Sequence, residues 1–157
     1  MNYLALKWLH LLGAAVLLGT GVGIAFFAWF GGRRALCERD LGLLRGVLRL
    51  KVTADLVFTA PAAVLQLATG LELWRQSAGA SSSPWLWSVL ALFALIGACW
   101  LPVVWIQIRL RDMAVQATSI ERLGAGFHLW FRVWFWLGVP AFLAVLAMFG
   151  LMVARWP

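Results

Sequence analysis

The sequence predicts an all-α integral membrane protein, built as a four-transmembrane-helix up-and-down bundle. Hydrophobic residues make up 64% of the 157 residues and charged residues only 12%, a composition too apolar for a soluble domain of this size. Four apolar runs are each long enough to cross the hydrocarbon core as a helix. The sequence lacks the short segments of alternating hydrophobicity that a membrane β-barrel requires.

The predicted spans cover about residues 3–30, 47–74, 85–108 and 127–154, and we interpret residues 1–157 as one membrane domain. The connection 31–51, which overlaps the start of the second span, combines leucines with arginines, and this favours a short amphipathic helix lying on the membrane surface. The second and third spans are joined by a loop rich in Gly and Ser that ends in Pro. The two cysteines form no Cys-x-x-Cys motif, so neither a disulfide framework nor a zinc site is indicated.

The net charge of +7 predicts membrane orientation rather than nucleic-acid binding, because the basic residues lie between the apolar runs. Nine of the thirteen Lys and Arg residues fall in the first and third connections, which share one side of the membrane. The positive-inside rule then places those connections in the cytoplasm of a bacterium and both termini outside the inner membrane. Tryptophans at both predicted interfaces support contact with the lipid bilayer: Trp8, Trp74, Trp85, Trp87 and Trp156 on the outer side, and Trp29, Trp105, Trp130 and Trp134 on the inner side.

The first span carries the strongest candidate for a functional residue. Lys7 and His10 interrupt its apolar sequence, and polar side chains within a membrane usually face the bundle interior or a cavity. The span also contains four glycines, which allow close approach of another helix. That helix belongs either to the same chain or to a second protomer, so a homo-oligomer through this span is one expectation.

Two interpretations of His10 follow from its predicted depth, about 9 Å inside the outer boundary at about 1.5 Å per residue. It is either a buried imidazole hydrogen-bonded to Gln66, Thr69 or a backbone carbonyl, or an axial ligand of heme b. In the second case Gln66 or Thr69 would hold the other ring nitrogen, and Lys7 would meet a heme propionate. His128 lies in the opposite half of the bilayer and cannot share the same iron.

The second span carries a row of polar residues. Asp55, Thr59, Gln66 and Thr69 fall in one narrow sector at about 100° per residue. The row is either an interhelical hydrogen-bond network or the wall of a polar path, and Pro61 should bend the helix within it. A lone carboxylate at the depth of Asp55 requires a cation, and we expect a structural ion pair of Asp55 with Arg132, one turn after His128.

Copper is the alternative ligand. Met148 and Met152 are one turn apart in the fourth span and offer thioether sulfur suited to Cu(I), with His10 at a similar depth. Two methionines on an apolar helix are also ordinary packing residues.

Motifs in three spans together resemble a bacterial family of predicted integral membrane proteins of unknown function, domain-of-unknown-function family 2269. The resemblance covers nearly the whole chain. It rests on Lys7-x-x-His10-x-x-Gly13, on Asp55-x-x-Phe58-Thr59-x-Pro61-Ala62 and on Gly138-x-Pro140-Ala141-Phe142.

The first span alone is also similar to the start of the HemJ-type protoporphyrinogen oxidases, which are heme b membrane proteins, and of the CopD-type copper-resistance membrane proteins. The first of these resemblances implies that His10 is a heme ligand. A lysine that the HemJ type keeps has no predicted counterpart, because Lys51 is expected in the cytoplasmic connection. That difference argues against the protoporphyrinogen activity and leaves heme binding open.

The sequence therefore leaves three functions open: a heme-b redox protein, a copper or small-solute handling protein, and a cofactor-free interaction module. It identifies no catalytic residue.

The predicted orientation can be tested with a single cysteine at Ser82 in a cysteine-free background. We expect a membrane-impermeant maleimide to label it from outside the cell, because the Gly/Ser/Pro loop lies opposite the two basic connections. Labelling from the cytoplasmic side alone would reverse the assignment.

Overall fold

The computed structural model describes residues 2–76 and 84–154, and these form five α-helices within four long helical segments. The predicted loop probe at Ser82, together with Arg155 and Trp156, lies outside the described residues. The α-helices are α1 (Tyr3–Cys37), α2 (Leu41–Ala54), α3 (Ala60–Gln76), α4 (Pro84–Gln116) and α5 (Gly124–Ala154). A π-helical turn, Asp55–Thr59, joins α2 to α3, and a short 3₁₀ helix, Ile120–Leu123, precedes α5.

Each long segment has 33 to 36 residues and is apolar enough to cross a membrane, which confirms the predicted four-helix membrane fold. At about 1.5 Å per residue each is about 50 Å long, whereas the hydrocarbon core is about 30 Å thick. The helices are therefore longer than predicted, mainly at the end where α1 and α4 finish and α2 and α5 begin. We call this end of the bundle the inner half and the opposite end the outer half.

The reversal between α1 and α2 takes only Glu38 to Asp40. Arg39 adopts a left-handed backbone with φ 54°, and the N–H groups of Asp40 and Arg39 bond back to the carbonyls of Ala35 and Leu36 at 2.9 and 3.4 Å. This is the Schellman pattern of helix termination. The Asp40 side chain then accepts a hydrogen bond from Leu43 N at 2.8 Å and caps α2.

The amphipathic helix predicted at the membrane surface is α2, but it does not lie on the surface. Its apolar face, which includes Leu44, Val47 and Leu48, is buried in the bundle. Arg45 fixes it to the end of α4 by donating to the carbonyls of Ala114 and Ala117 at 2.9 and 2.7 Å. The tight reversal leaves no linker that would allow α2 to lie flat on the membrane.

The main apolar core lies in the inner half. It joins all the long segments there, with α4 packed along α5 and α1 packed against α2, whereas α3 packs against α1 in the outer half. Its members include Ala28, Ala35, Leu44, Leu48, Ile106, Leu110, Ala114, Phe127, Phe131 and Trp134.

Leu48 and Leu50 provide a matched pair for testing this core. Leu48 is 0% exposed and Leu50, on the opposite face of α2, is 60% exposed. We expect Leu48→Ala to lower the free energy of unfolding by about 2 kcal/mol, which is near the lower end of the range for buried leucines. In a membrane the leucine side chain gains little by moving from lipid into the protein, so the cavity that the substitution leaves causes most of the loss. Leu50→Ala should leave the detergent-solubilised protein close to wild type. Equal melting temperatures for both variants would show that α2 lies outside the core.

Candidate functional site

His10 is half-buried on α1 and directly contacts α3. Its Nδ1 lies 2.8 Å from Thr69 Oγ1, and the Thr69 hydroxyl lies 2.6 Å from the carbonyl of Leu65 on its own helix. A hydroxyl that donates to Leu65 can only accept from the imidazole. Thr69 therefore fixes the ring and can receive the Nδ1 proton.

Gln66 inserts its amide into the backbone of α1 one turn below His10. With the amide nitrogen directed at His10, Gln66 donates to the His10 carbonyl at 2.9 Å and to Nδ1 at 2.7 Å, while its oxygen accepts from Ala14 N at 3.0 Å. The structure thus places His10 beside both of the side chains that were its alternative predicted partners, Gln66 and Thr69.

Two glycines make this close approach of α1 and α3 possible. A Cβ on Gly70 would lie 3.3 Å from His10 Cε1, and a Cβ on Gly13 would lie 3.4 Å from the Gln66 side chain. Both distances are at or inside the limit of normal packing, so larger residues would push the helices apart. Gly19, Gly21 and Gly23 differ, because a Cβ on any of them would meet no described residue within 4 Å.

The free edge of the His10 ring carries Nε2. This nitrogen makes no hydrogen bond with the residues that the structure describes, and it is not enclosed by them. If Nδ1 donates to Thr69, the lone pair is on Nε2; if Nδ1 accepts from Gln66, Nε2 carries the proton. Only the first arrangement makes Nε2 a ligand for a metal.

The other predicted ligand residues are more dispersed. Lys7 is exposed one turn outward from His10, and Met148 and Met152 are half-buried in the outer half of α5. His128 is exposed near the start of α5, with its ring edge-on to Phe127. Within residues 2–76 and 84–154, no three His, Cys, Asp or Glu side chains lie close enough together to hold a metal ion.

A second polar cluster, which we call the Lys51 cluster, consists of Lys51, Asp55, Gln107 and Trp134 in the inner half. Lys51 was expected in a connection, but only 2% of it is exposed. Its Nζ lies 3.5 Å from the centroid of the Trp134 ring, a cation–π contact, and has no hydrogen-bond partner. Asp55, one turn further along, accepts a hydrogen bond from Gln107 Nε2.

The expected ion pair of Asp55 with Arg132 is not formed. Arg132 is exposed and lines a surface groove on α5 with Leu129, Val133, Trp136 and Leu137. Phe131 and Trp134 of the same helix face the core, so a side chain at position 132, about 100° away from Phe131, points outward. Arg132 lies at the depth in the membrane that a contact with Asp55 would need, but its side chain points away from the bundle interior where Asp55 lies.

The polar row of the second span contacts two different helices. Thr59 donates to Thr20 on α1 at 3.3 Å, and Gln66 and Thr69 also contact α1, whereas Asp55 is bonded to α4. The Ala60 amide bonds to the Asp55 carbonyl, five residues back, and closes the π-helical turn just before Pro61. One extra residue in a turn displaces all later side chains by about 100°, which explains why Asp55 does not face α1 as its successors do.

Asp55 and Arg132 should therefore differ sharply when substituted. Asp55→Ala removes the carboxylate that accepts from the buried Gln107 amide, and the amide left without its partner alone costs about 1–3 kcal/mol. Asp55→Asn keeps a polar partner for Gln107 and should cost less. Arg132→Ala should change the free energy of unfolding by less than about 1 kcal/mol, as for other exposed charges. Thermal unfolding in detergent would measure the stability of all three variants. An equal loss of stability in Asp55→Ala and Arg132→Ala would support the ion pair of Asp55 with Arg132 that the sequence predicted.

The comparisons with known proteins agree with this architecture. The sequence profile of a family described as predicted integral membrane protein, DUF2269, matches residues 4–156. Neither the curated proteins nor the solved structures include a significant match to the chain. Because the matched region spans all four long helices and carries both polar clusters, the chain belongs to the DUF2269 family of integral membrane proteins.

Proposed function

We propose that this protein is a heme-b-binding redox protein of the bacterial inner membrane, with Nε2 of His10 as its one axial protein ligand. The observation that carries the proposal is the asymmetry of the His10 ring. Nδ1 has polar partners on α3, whereas Nε2 has none among the described residues. Half-buried imidazole nitrogens in a membrane need a partner, and a metal is a common one.

The residues around His10 fit such a ligand. In the proposed tautomer Nδ1–H donates to the Thr69 hydroxyl, which donates its own proton to Leu65, and the lone pair is on Nε2; Gln66 then bonds only to the backbone of α1. Lys7 is exposed one turn outward, where its ammonium can reach the interface and meet a propionate. A bound heme would supply a one-electron redox centre, and the protein would supply its position and orientation.

The proposed orientation, with both termini periplasmic, gains support from the inner half. Arg33 stacks on Trp29 at 5.3 Å, and Arg109 lies 5.2 and 5.4 Å from the rings of Trp105 and Trp130. Arginines held against interfacial tryptophans are well placed for the anionic headgroups of a cytoplasmic leaflet.

The homo-oligomer through α1 remains a prediction. Gly19, Gly21 and Gly23 are not required for packing against described residues of their own chain, which leaves their surface accessible to lipid or to a second protomer.

Visible absorption of protein purified from heme-replete cells tests the proposed function. We expect a Soret band in the wild type, its loss in His10→Ala, and its retention in His128→Ala, because His128 lies at the other end of the bundle. Thr69→Val should lower heme occupancy about tenfold by releasing the ring, as losses of partners to metal ligands typically do.

The absence of a Soret band from the wild type would reject heme. Metal analysis of the same sample would then separate copper held by His10, Met148 and Met152 from a protein without a cofactor.

A further inference from the structure

The Lys51 cluster brings opposite charges into the interior of the bundle. Lys51 is 2% exposed and Asp55 6%, and they lie one turn apart on the second long segment. Their charged atoms are more than 4.0 Å apart and form no direct ion pair, since Nζ lies over the Trp134 ring and the carboxylate accepts from Gln107. Neither group therefore directly neutralises the other.

No other charged group on the packed elements faces this pair. The nearby cations make other contacts or are exposed. Arg33 lies over Trp29, Arg34 pairs with Glu38, and Arg45 donates to carbonyls at the end of α4. Arg109 lies over Trp105 and Trp130, Arg111 pairs with Asp112, and Arg49, His128 and Arg132 are exposed. Among the described residues, the charges nearest Lys51 are therefore those of the cluster itself.

Three buried polar atoms of the cluster have no hydrogen-bond partner among the residues that the structure describes. They are Lys51 Nζ, Trp134 Nε1 and Gln107 Oε1, and Gln107 is 1% exposed. Two of these atoms donate and one accepts. A water molecule has the complementary chemistry, because its oxygen can accept from the ammonium and the indole while its protons go to Gln107 and to Asp55.

We propose that Lys51, Asp55, Gln107 and Trp134 form an internal water and proton-binding site in the inner half of the bundle. Through the water, a proton leaves Lys51 Nζ as one N–H bond breaks, and a proton reaches the Asp55 carboxylate as one O–H bond forms. The pair changes from ammonium and carboxylate to amine and carboxylic acid with no change in net charge, and release of this shared proton to solvent at high pH leaves amine and carboxylate and lowers the net charge of the cluster by one. The site does not depend on heme at His10, which contacts different residues on α3.

The π-helical turn supports this assignment. Asp55 is its first residue, and its carbonyl receives the Ala60 amide across five residues, so the backbone here departs from the regular α-helical ladder. π-Helical turns within α-helices are frequent at functional sites. Buried polar atoms are usually hydrogen-bonded, and three of the four buried side-chain atoms without a partner among the described residues lie in this one cluster, the fourth being Trp100 Nε1.

The chain contains only two lysines, Lys7 and Lys51, which makes the proposal directly testable. In Lys7→Arg protein labelled with ¹⁵N- and ¹³C-lysine in lipid nanodiscs, every lysine side-chain signal comes from Lys51. We expect magnetisation from water protons to reach this side chain. We also expect its resonances to titrate reversibly with pH, and Asp55→Asn to move the midpoint by about one pH unit or more, tenfold in proton affinity.

Two further variants keep the test decisive. Asp112→Asn, which removes a half-buried carboxylate of α4 that pairs with Arg111 and does not contact the Lys51 cluster, should leave the midpoint unchanged. Trp134→Phe keeps an aromatic ring at this position but removes the indole N–H together with the second ring, so a folded protein should show water transfer reduced several-fold. Two results would overturn the proposal. The first is a Lys51 signal that receives no magnetisation from water. The second is a titration midpoint of Lys51 that shifts no further in Asp55→Asn than in Asp112→Asn. In the first case Lys51 is a dry structural cation held by Trp134.

Discussion

The arrangement of this bundle depends on how the second long segment satisfies its polar side chains. The bilayer interior offers no water for hydrogen bonding, so each such side chain needs a partner in the protein. Thr69 and Gln66 require α1, where they find His10, and Asp55 requires α4, where it finds Gln107. Apolar surfaces alone would pack equally well against lipid, which makes these few bonds the specific part of the helix contacts.

The sequence predicts depth well and direction poorly. Hydropathy and rise per residue placed His10 beside Thr69 and Gln66, and the structure brings these three together. The same reasoning paired Asp55 with Arg132, which has a suitable depth but lies on the outer surface of α5. Depth follows from position along one helix, whereas direction depends on how two helices rotate about their axes when they pack.

Lys51 and Gln107 show a second limit. Lys51 follows a run of arginines, and residues 41–54 are not apolar enough to indicate a span by themselves. Only the packing of Leu44, Val47 and Leu48 against α1 and α4 shows that this amphipathic face is turned into the bundle. A signal was nevertheless present in the sequence, because Lys51 precedes Asp55 by four residues, the spacing of a stabilising pair on one helix face.

The π-helical turn determines the directions of both polar clusters relative to each other. Lys51 and Asp55 precede its extra residue, and Gln66 and Thr69 follow it. On an uninterrupted α-helix, Asp55, Gln66 and Thr69 would occupy one sector and compete for the same neighbour, α1. The turn rotates the later residues by about 100°, so that one segment contacts α4 in the inner half and α1 in the outer half through its polar side chains.

Pro61 cannot donate to the carbonyl four residues before it and thereby favours the interruption of the α-helix at this point. Removal of one residue from the turn would rotate one cluster away from its partners, so the two sites depend on the same local backbone although no side chain is shared between them.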